Sequence, residues 1–361
     1  MHHTKYNHID LSLLANDIKS WGRTLGFQQI GITDINLEEA ETRLLDWLGN
    51  HYHGEMHYMH RHGTKRSQPA ELVPGTLRVI SARMDYWHDS TAQCENVLAD
   101  NHLGYISRYA LGRDYHKLLR KRLQQLAQQI ENKIGEFGYR VFTDSAPVLE
   151  KPLAEKAGLG WIGKHSNLIE EQTGSWFFIG EMYTDLPLPT DAPAKNHCGT
   201  CRSCIDACPT KAIVAPYTVD ARLCISYLTI ELKGSIPVEL RTLMGNRIYG
   251  CDDCQLVCPW NRFATATHEQ DFFARNNLDS ATLIDLFAWT EQEFMTRTEG
   301  SAIRRIGHQS WLRNIAVALG NATPTEAINA ALIARLQHSS ALVREHVQWA
   351  LQQQAEHPAR P

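Results

Sequence analysis

The sequence predicts an α+β protein in three parts, and three observations carry that expectation. Helix-period and strand-period segments alternate over residues 1–190 without internal repeats, which points to an amino-terminal α/β or α+β domain, α/β being the one expected. Eight of the nine cysteines fall between Cys198 and Cys258, in runs suited to iron–sulfur ligation, and mark a module over 191–262. Beyond residue 262 the cysteines stop and apolar residues recur at helical spacing, giving a carboxy-terminal α-helical domain over 263–361.

In the first part, Leu14, Ile18, Trp21 and Leu25 mark an amphipathic opening helix that Gly26 is placed to end. Residues 28–33 read as a short strand and 37–48 as a second helix. Between His51 and His62 lie five histidines whose spacings suit no single metal site, so the segment reads as a mostly exposed loop and helix start. Pro74-Gly75 makes a turn, and 77–86 carries β-branched and aromatic residues suited to a strand. A long helix is expected over 114–137, with Leu119, Leu123, Leu126 and Ile130 on one face. The strand at 139–143 runs into Asp144-Ser-Ala-Pro147. Pro147 fits the first position of a helix through Lys156, and Asp144 could cap it. One more strand covers 175–185. In the last part, the segments starting at Trp311 and Leu342 share an Ala-Leu ending offset by 32 residues, which resembles a short HEAT-type helical repeat.

The cysteines carry the clearest chemistry. Cys198, Cys201, Cys204 and Cys208-Pro209 form C-x2-C-x2-C-x3-C-P, the spacing by which bacterial-type ferredoxins hold [4Fe–4S] clusters, with the fourth thiolate crossing to the other cluster. Cys251, Cys254 and Cys258-Pro259 repeat that run with its first cysteine missing, and Cys224 completes the eight thiolates that two cubanes need. One cluster then takes Cys198, Cys201, Cys204 and Cys258; the other takes Cys208, Cys224, Cys251 and Cys254. Structural zinc would leave the third cysteine of the first run and both Cys-Pro endings unexplained. Cys94 is left over and reads as a small buried hydrophobe.

The chain has 361 residues, 43% hydrophobic and 21% charged, with a net charge of −4, so a nucleic-acid partner must be held by local basic patches. Two exist: Arg61, Lys65 and Arg66, and Lys117, Arg120, Lys121 and Arg122 on the long helix. The polar, His-rich start has no apolar signal region, and no run approaches a membrane span, so a cytoplasmic protein with no membrane partner is expected. Nothing marks a coiled coil or a large apolar seam, and a monomer is expected.

Two further motifs are misleading. The stretch from Gly158 to Lys164 matches glycine patterns for dinucleotides and phosphates, yet a helix precedes it and His165 stands where a phosphate loop needs Ser or Thr. Asp114-Tyr-His116 half-matches a D-x-H-x-x-G corrinoid signature, with Leu119 in place of the glycine; the segment also reads as a capped helix start.

Long strings nonetheless point to one family. They are Ile106 to His116, Asp144 to Lys164, Cys224 to Glu231 and the cysteine runs. Together they resemble the epoxyqueuosine reductases, cobalamin-dependent iron–sulfur enzymes that finish queuosine in tRNA. The resemblance implies that the amino-terminal domain binds cobalamin, base-off and without a protein lower ligand. It implies a substrate, epoxyqueuosine at the wobble position of tRNA(Asp/Asn/His/Tyr), and an external low-potential electron donor feeding cobalt through the clusters. It implies Asp144 as proton donor, with a raised pKa and few hydrogen-bond donors nearby. Arg66, Lys151 and Ser226 are expected at the cobalamin or substrate. Competing readings are a corrinoid reductive dehalogenase, a ferredoxin-type electron carrier, and a tRNA-binding module with structural clusters.

Overall fold

The computed structural model describes residues 6, 8–88 and 91–356. The opening helix α1 (Leu11–Thr24) is capped by Asp10, whose carboxylate accepts from the amides of Ser12 and Leu13. Gly26 ends it at φ +90°, a conformation that glycine adopts without steric cost. Then come β1 (Gln29–Thr33), α2 (Glu38–Gly49), β2 (Arg78–Asp85), α3 (Tyr115–Ile134), β3 (Tyr139–Phe142), α4 (Glu150–Lys156) and β4 (Phe177–Thr184).

The strands form one sheet in the order β1-β2-β4-β3, antiparallel at every pairing. This corrects the α/β expectation for the amino-terminal part. Alternating helices and strands do not fix strand direction when the connections are long, and 44 residues separate β1 from β2.

Both faces of the sheet are covered. Ile80, Ala82, Met84, Phe178 and Met182 pack with Leu119, Leu123, Leu126 and Ile130 of α3 and with Leu14 and Ile18 of α1. The alternate residues Val79 and Tyr183 pack with Leu153 of α4, Leu37, Phe142 and Val148. On that second face lie several buried polar residues, among them Ser81, Arg83, Asp85 and Glu181. The end of α4 rests directly on β1: a Cβ at Gly31 would stand 2.0 Å from the Ala157 carbonyl oxygen, so only glycine fits there.

The helix expected from Pro147 starts at Glu150 instead. Asp144 sits at φ +51°, and the Val148 amide bonds the Ala146 carbonyl at 2.8 Å, so 144–149 is a tight irregular segment. Asp144 therefore caps no helix. Asp114 does cap α3, accepting from the His116 amide.

The cysteine module is pinned to the sheet domain by buried polar side chains as well as by the apolar contacts of Trp161 and Ile169 with Cys258. Asp252, between Cys251 and Cys254, accepts from Tyr105 Oη, Ser107 Oγ and the Arg108 amide at 2.6–2.9 Å. Asn261 Oδ1 accepts from the Ser175 amide, and its Nδ2 donates to the Gln255 carbonyl. Lys164, at the end of the glycine stretch, donates to the carbonyls of Gly199 and Cys201 and so holds the first cysteine loop.

The tail is helical, and α5 (Ile225–Ile230), α6 (Gly307–Asn321) and α7 (Ala341–Glu356) share one apolar core. That core runs from Ile225 and Leu228 through Ile248 to Trp311, Ile315 and Val347, across position 262. Arg313, fully buried on α6, donates to the carbonyls of Leu228, Leu232 and Gly234. Arg313→Leu orphans three buried acceptors, so stability should fall by about 3 kcal/mol or more. Thermal unfolding of the cluster-loaded protein measures this, and an unchanged midpoint would refute it. Among the described residues no helix is long and apolar enough to cross a membrane.

Candidate functional site

The eight cysteines assigned from spacing line two cavities, four to each. Cys198, Cys201, Cys204 and Cys258 border a small one together with Lys164, His165 and Trp260. Cys208, Cys224, Cys251 and Cys254 border a larger cleft of about 490 Å³. The local cause is the same in both runs. A turn follows the first cysteine, and a short helix (Ser203–Ala207 or Asp253–Leu256) presents the next, so sulfurs from distant segments converge. Cys224 enters as the residue preceding α5, with the whole helical core behind it. Cys94 is fully buried in the sheet-domain core.

Two buried ring N–H groups support the donor sets. Trp161 packs against Cys258 and Cys198, and its Nε1 has no hydrogen-bond partner. His165 borders both cavities; its Nδ1 accepts from the Asn167 amide, which leaves the proton on a buried, unpartnered Nε2. Burial and then the Lys151 charge push the His165 pKa down to about 4, so the ring is neutral.

Tyr109, Tyr115, Phe178 and Asp144 line the same large cleft. Tyr115 lies flat on Phe178, centroids 3.9 Å apart, and this stack directs its hydroxyl to Asp144 Oδ2 at 2.5 Å. His116 Nε2 is 3.5 Å from the same oxygen, and its Nδ1 is 2.7 Å from Asp114 Oδ1. Arg305, from the helical tail, reaches Asp114 Oδ2 at 2.5 Å. The Asp144 side chain lines the cleft and is 54% exposed.

The expectation of a raised Asp144 pKa with few donors nearby is overturned. Burial does press its carboxyl upward, but hydrogen bonds from His116 and Tyr115 and the charges of His116 and Arg305 outweigh it and hold the pKa below the usual value. The proton sits beside it. Burial lowers the His116 pKa, yet hydrogen bonds to Asp114 and Asp144 prevail and raise it.

Beneath Asp144 is a second acid. The Asp144 amide donates to Glu150 Oε1, and the Glu150 pKa is pushed up to about 8 by burial and then by the Asp144 charge. Glu181, wholly buried on β4, is pushed well up by burial and then by Glu150. The folded Glu150 value lies above its ordinary 4.5, so its stabilisation is complete below pH 4.5 and lost as pH rises through about 8. Glu150→Gln should therefore flatten the decline of thermal stability across that window; an identical pH profile would refute the assignment.

The remaining expected residues divide. Lys151 and Ser226 both line the cleft, and Lys151 Nζ donates to the Ser166 carbonyl at 2.8 Å. Burial lowers its pKa against the pull of Asp144 and Glu150. Arg66 is not a cleft residue. It is 8% exposed, donates to the carbonyls of Tyr58 and Val148, and braces the segment behind Asp144 from within. The second basic patch is also thinner than the sequence suggests, because Arg122 is ion-paired with Glu269 and Arg120 donates to Ser145 Oγ. Sequence reading missed Tyr115, Glu150, Glu181, Arg305 and the role of His116 beside Asp144. Only the adjacency of Asp114, Tyr115 and His116 offered a signal.

Residues 197–261 match the 4Fe-4S double cluster binding domain, and 66–145 match the model described as Epoxyqueuosine reductase QueG, DUF1730. The epoxyqueuosine reductase of Pseudomonas aeruginosa is 60% identical over 348 residues, 96% of each chain. A crystal structure of epoxyqueuosine reductase with an epoxyqueuosine-modified tRNA-Tyr stem loop superposes with a TM-score of 0.87 at 26% identity, covering 95% of this chain and 91% of that one. A Bacillus subtilis epoxyqueuosine reductase, captured with its catalytic aspartate loop swung out of the active site, gives 0.83 at 26% identity over the same shares. Matched at such identity along nearly its whole length, the chain belongs to the epoxyqueuosine reductase family.

Proposed function

We propose that this protein is a cytoplasmic, monomeric enzyme that reduces epoxyqueuosine to queuosine at the wobble position of tRNA(Asp/Asn/His/Tyr). The reaction consumes two electrons and two protons, breaks both carbon–oxygen bonds of the epoxide and releases one water. The observation that carries this reading is the cleft itself, lined both by four cysteines and by a hydrogen-bonded aspartate. A relative described with an epoxyqueuosine-modified tRNA stem loop supports the substrate.

When bound, cobalamin supplies the reducing equivalents, fed by an external low-potential donor through two [4Fe–4S] clusters. The cleft fits that group. Tyr109 and Phe178 give apolar walls, Ser226 and Lys151 give polar contacts, and His165 offers Nε2–H as a donor, not as a metal ligand. The clusters would be held by the two cysteine sets that line the cavities.

The chain's own contribution is proton delivery and positioning. Tyr115 fixes the Asp144 carboxylate in the cleft, and His116 stores the proton that passes through Asp144 to the departing oxygen. Asp114 and Arg305 orient His116 from behind. Arg66 holds the backbone beneath this segment. Lys117, Arg120 and Lys121 are the exposed cations on α3, next to the Asp144 segment, and suit the tRNA phosphates. Neutralising these three should weaken tRNA binding and reduce the salt slope by about 2–3. An unchanged slope would place tRNA elsewhere.

The deciding experiment is anaerobic. The protein is reconstituted with iron and sulfide, given cobalamin, a strong reductant and tRNA carrying epoxyqueuosine, and the digested nucleosides are weighed. Loss of one oxygen, dependent on added cobalamin, is expected. Unchanged mass with corrinoid bound and both clusters loaded would discard the substrate and favour a dehalogenase-like reductase.

A further inference from the structure

The segment after α2 does what its sequence spacing conceals. Gly54, at φ +55°, turns the chain against Tyr227, whose hydroxyl accepts from the Glu55 amide at 2.8 Å. A Cβ at Gly54 would meet that hydroxyl at 2.5 Å, so the turn is pressed onto α5. A 3₁₀ turn, His57–Met59, follows, with the His60 amide bonded to the His57 carbonyl. In that geometry side chains three apart stand one above the other, which aligns His57 with His60. The turn before it brings His53 to the same place. One ring nitrogen from each of His53, His57 and His60 lies within 4.8 Å of the other two.

Two features set this trio apart from a chance surface group. His53 is 92% buried and its Nδ1 has no hydrogen-bond partner, so the protein leaves a polar edge of that ring unanswered. Its ring is held by Trp47, centroids 5.9 Å apart, and the Trp47 indole is itself fixed to the Val219 carbonyl. By contrast His57 and His60 are exposed and free to close by small rotations. The nearby Arg222 is ion-paired with Asp220 at 2.7 Å, which offsets its repulsion of a cation.

We propose that His53, His57 and His60 form a binding site for a first-row divalent cation that prefers imidazole, with Zn²⁺ the representative ion and a fourth position open to water. The site is separate from both cysteine sets. The position also has a consequence. Met56, between the ligands, lines the large cleft, and the Tyr58 carbonyl accepts from Arg66. A bound ion would therefore clamp one wall of the cleft.

The test uses the cluster-loaded protein, so that the cysteines are occupied, with Zn²⁺ alone as probe in equilibrium dialysis. The wild type is compared with H57N/H60N, whose substitutions fall on exposed side chains and should leave cluster absorbance unchanged. One Zn²⁺ per chain should bind, with affinity at least about 100-fold weaker in the double variant, since losing even an outer hydrogen-bond partner costs 10–100-fold. Zinc-edge scattering should show only nitrogen or oxygen neighbours, at about 2.0–2.1 Å. Equal binding by both proteins would assign the ion to the His-rich amino terminus, and a sulfur shell would assign it to cysteine. Either result overturns the proposal.

Discussion

Asp144→Asn should lower turnover of epoxyqueuosine-bearing tRNA by about 10²–10⁴-fold, the usual contribution of a positioned proton donor, while iron content and cluster absorbance stay unchanged. The amide keeps the shape and can still accept from Tyr115, so the loss isolates proton transfer from folding. The pH dependence carries more information. His116 has a raised pKa, so its imidazolium persists above the ordinary 6.5 and is lost as pH rises through the higher value. Activity in the wild type should fall on that alkaline limb. In His116→Asn the limb should vanish, with activity low at every pH. Undiminished turnover in Asp144→Asn would dismiss the aspartate, and an unmoved alkaline limb in His116→Asn would place the stored proton elsewhere, with Glu150 the next candidate.

Cys224→Ser should reduce iron from about eight to about four per chain and abolish turnover. Of the eight cysteines that line the cavities, Cys224 alone lies outside both runs, and it borders the large cleft with Cys208, Cys251 and Cys254. The remaining cluster, on Cys198, Cys201, Cys204 and Cys258, lies in the other cavity and should persist. Iron analysis and low-temperature electron paramagnetic resonance after reduction distinguish the outcomes. A full complement of eight irons would show that another group serves as the fourth ligand. Loss of both clusters would show that the module folds as one unit around its metal.

Cys198 to Cys258 shows how much of the site is local. The grouping of the eight cysteines, four to each cavity, was legible in the sequence, because a cubane demands four thiolates and short C-x2-C turns bring their sulfurs together. The long helix α3 was equally clear, since Leu119, Leu123, Leu126 and Ile130 repeat at the helical period and Asp114 caps it. Asp144 shows the opposite. Its family resemblance identified it, but its protonation was misread, because the groups that set it come from α3, the helical tail and the carboxyls beneath: Tyr115, His116, Arg305 and Glu150. A pKa depends on through-space distance, which no one-dimensional pattern encodes. Strand direction was undetermined for a related reason, as periodicity fixes which face of a strand is buried and not which way the chain runs. By itself, the sequence determined the metal chemistry, the helices and the family. The tertiary structure alone decided that Tyr115 and His116 stand against the Asp144 carboxylate, that Arg66 bonds the carbonyls of Tyr58 and Val148, and that three histidines meet beside the cleft.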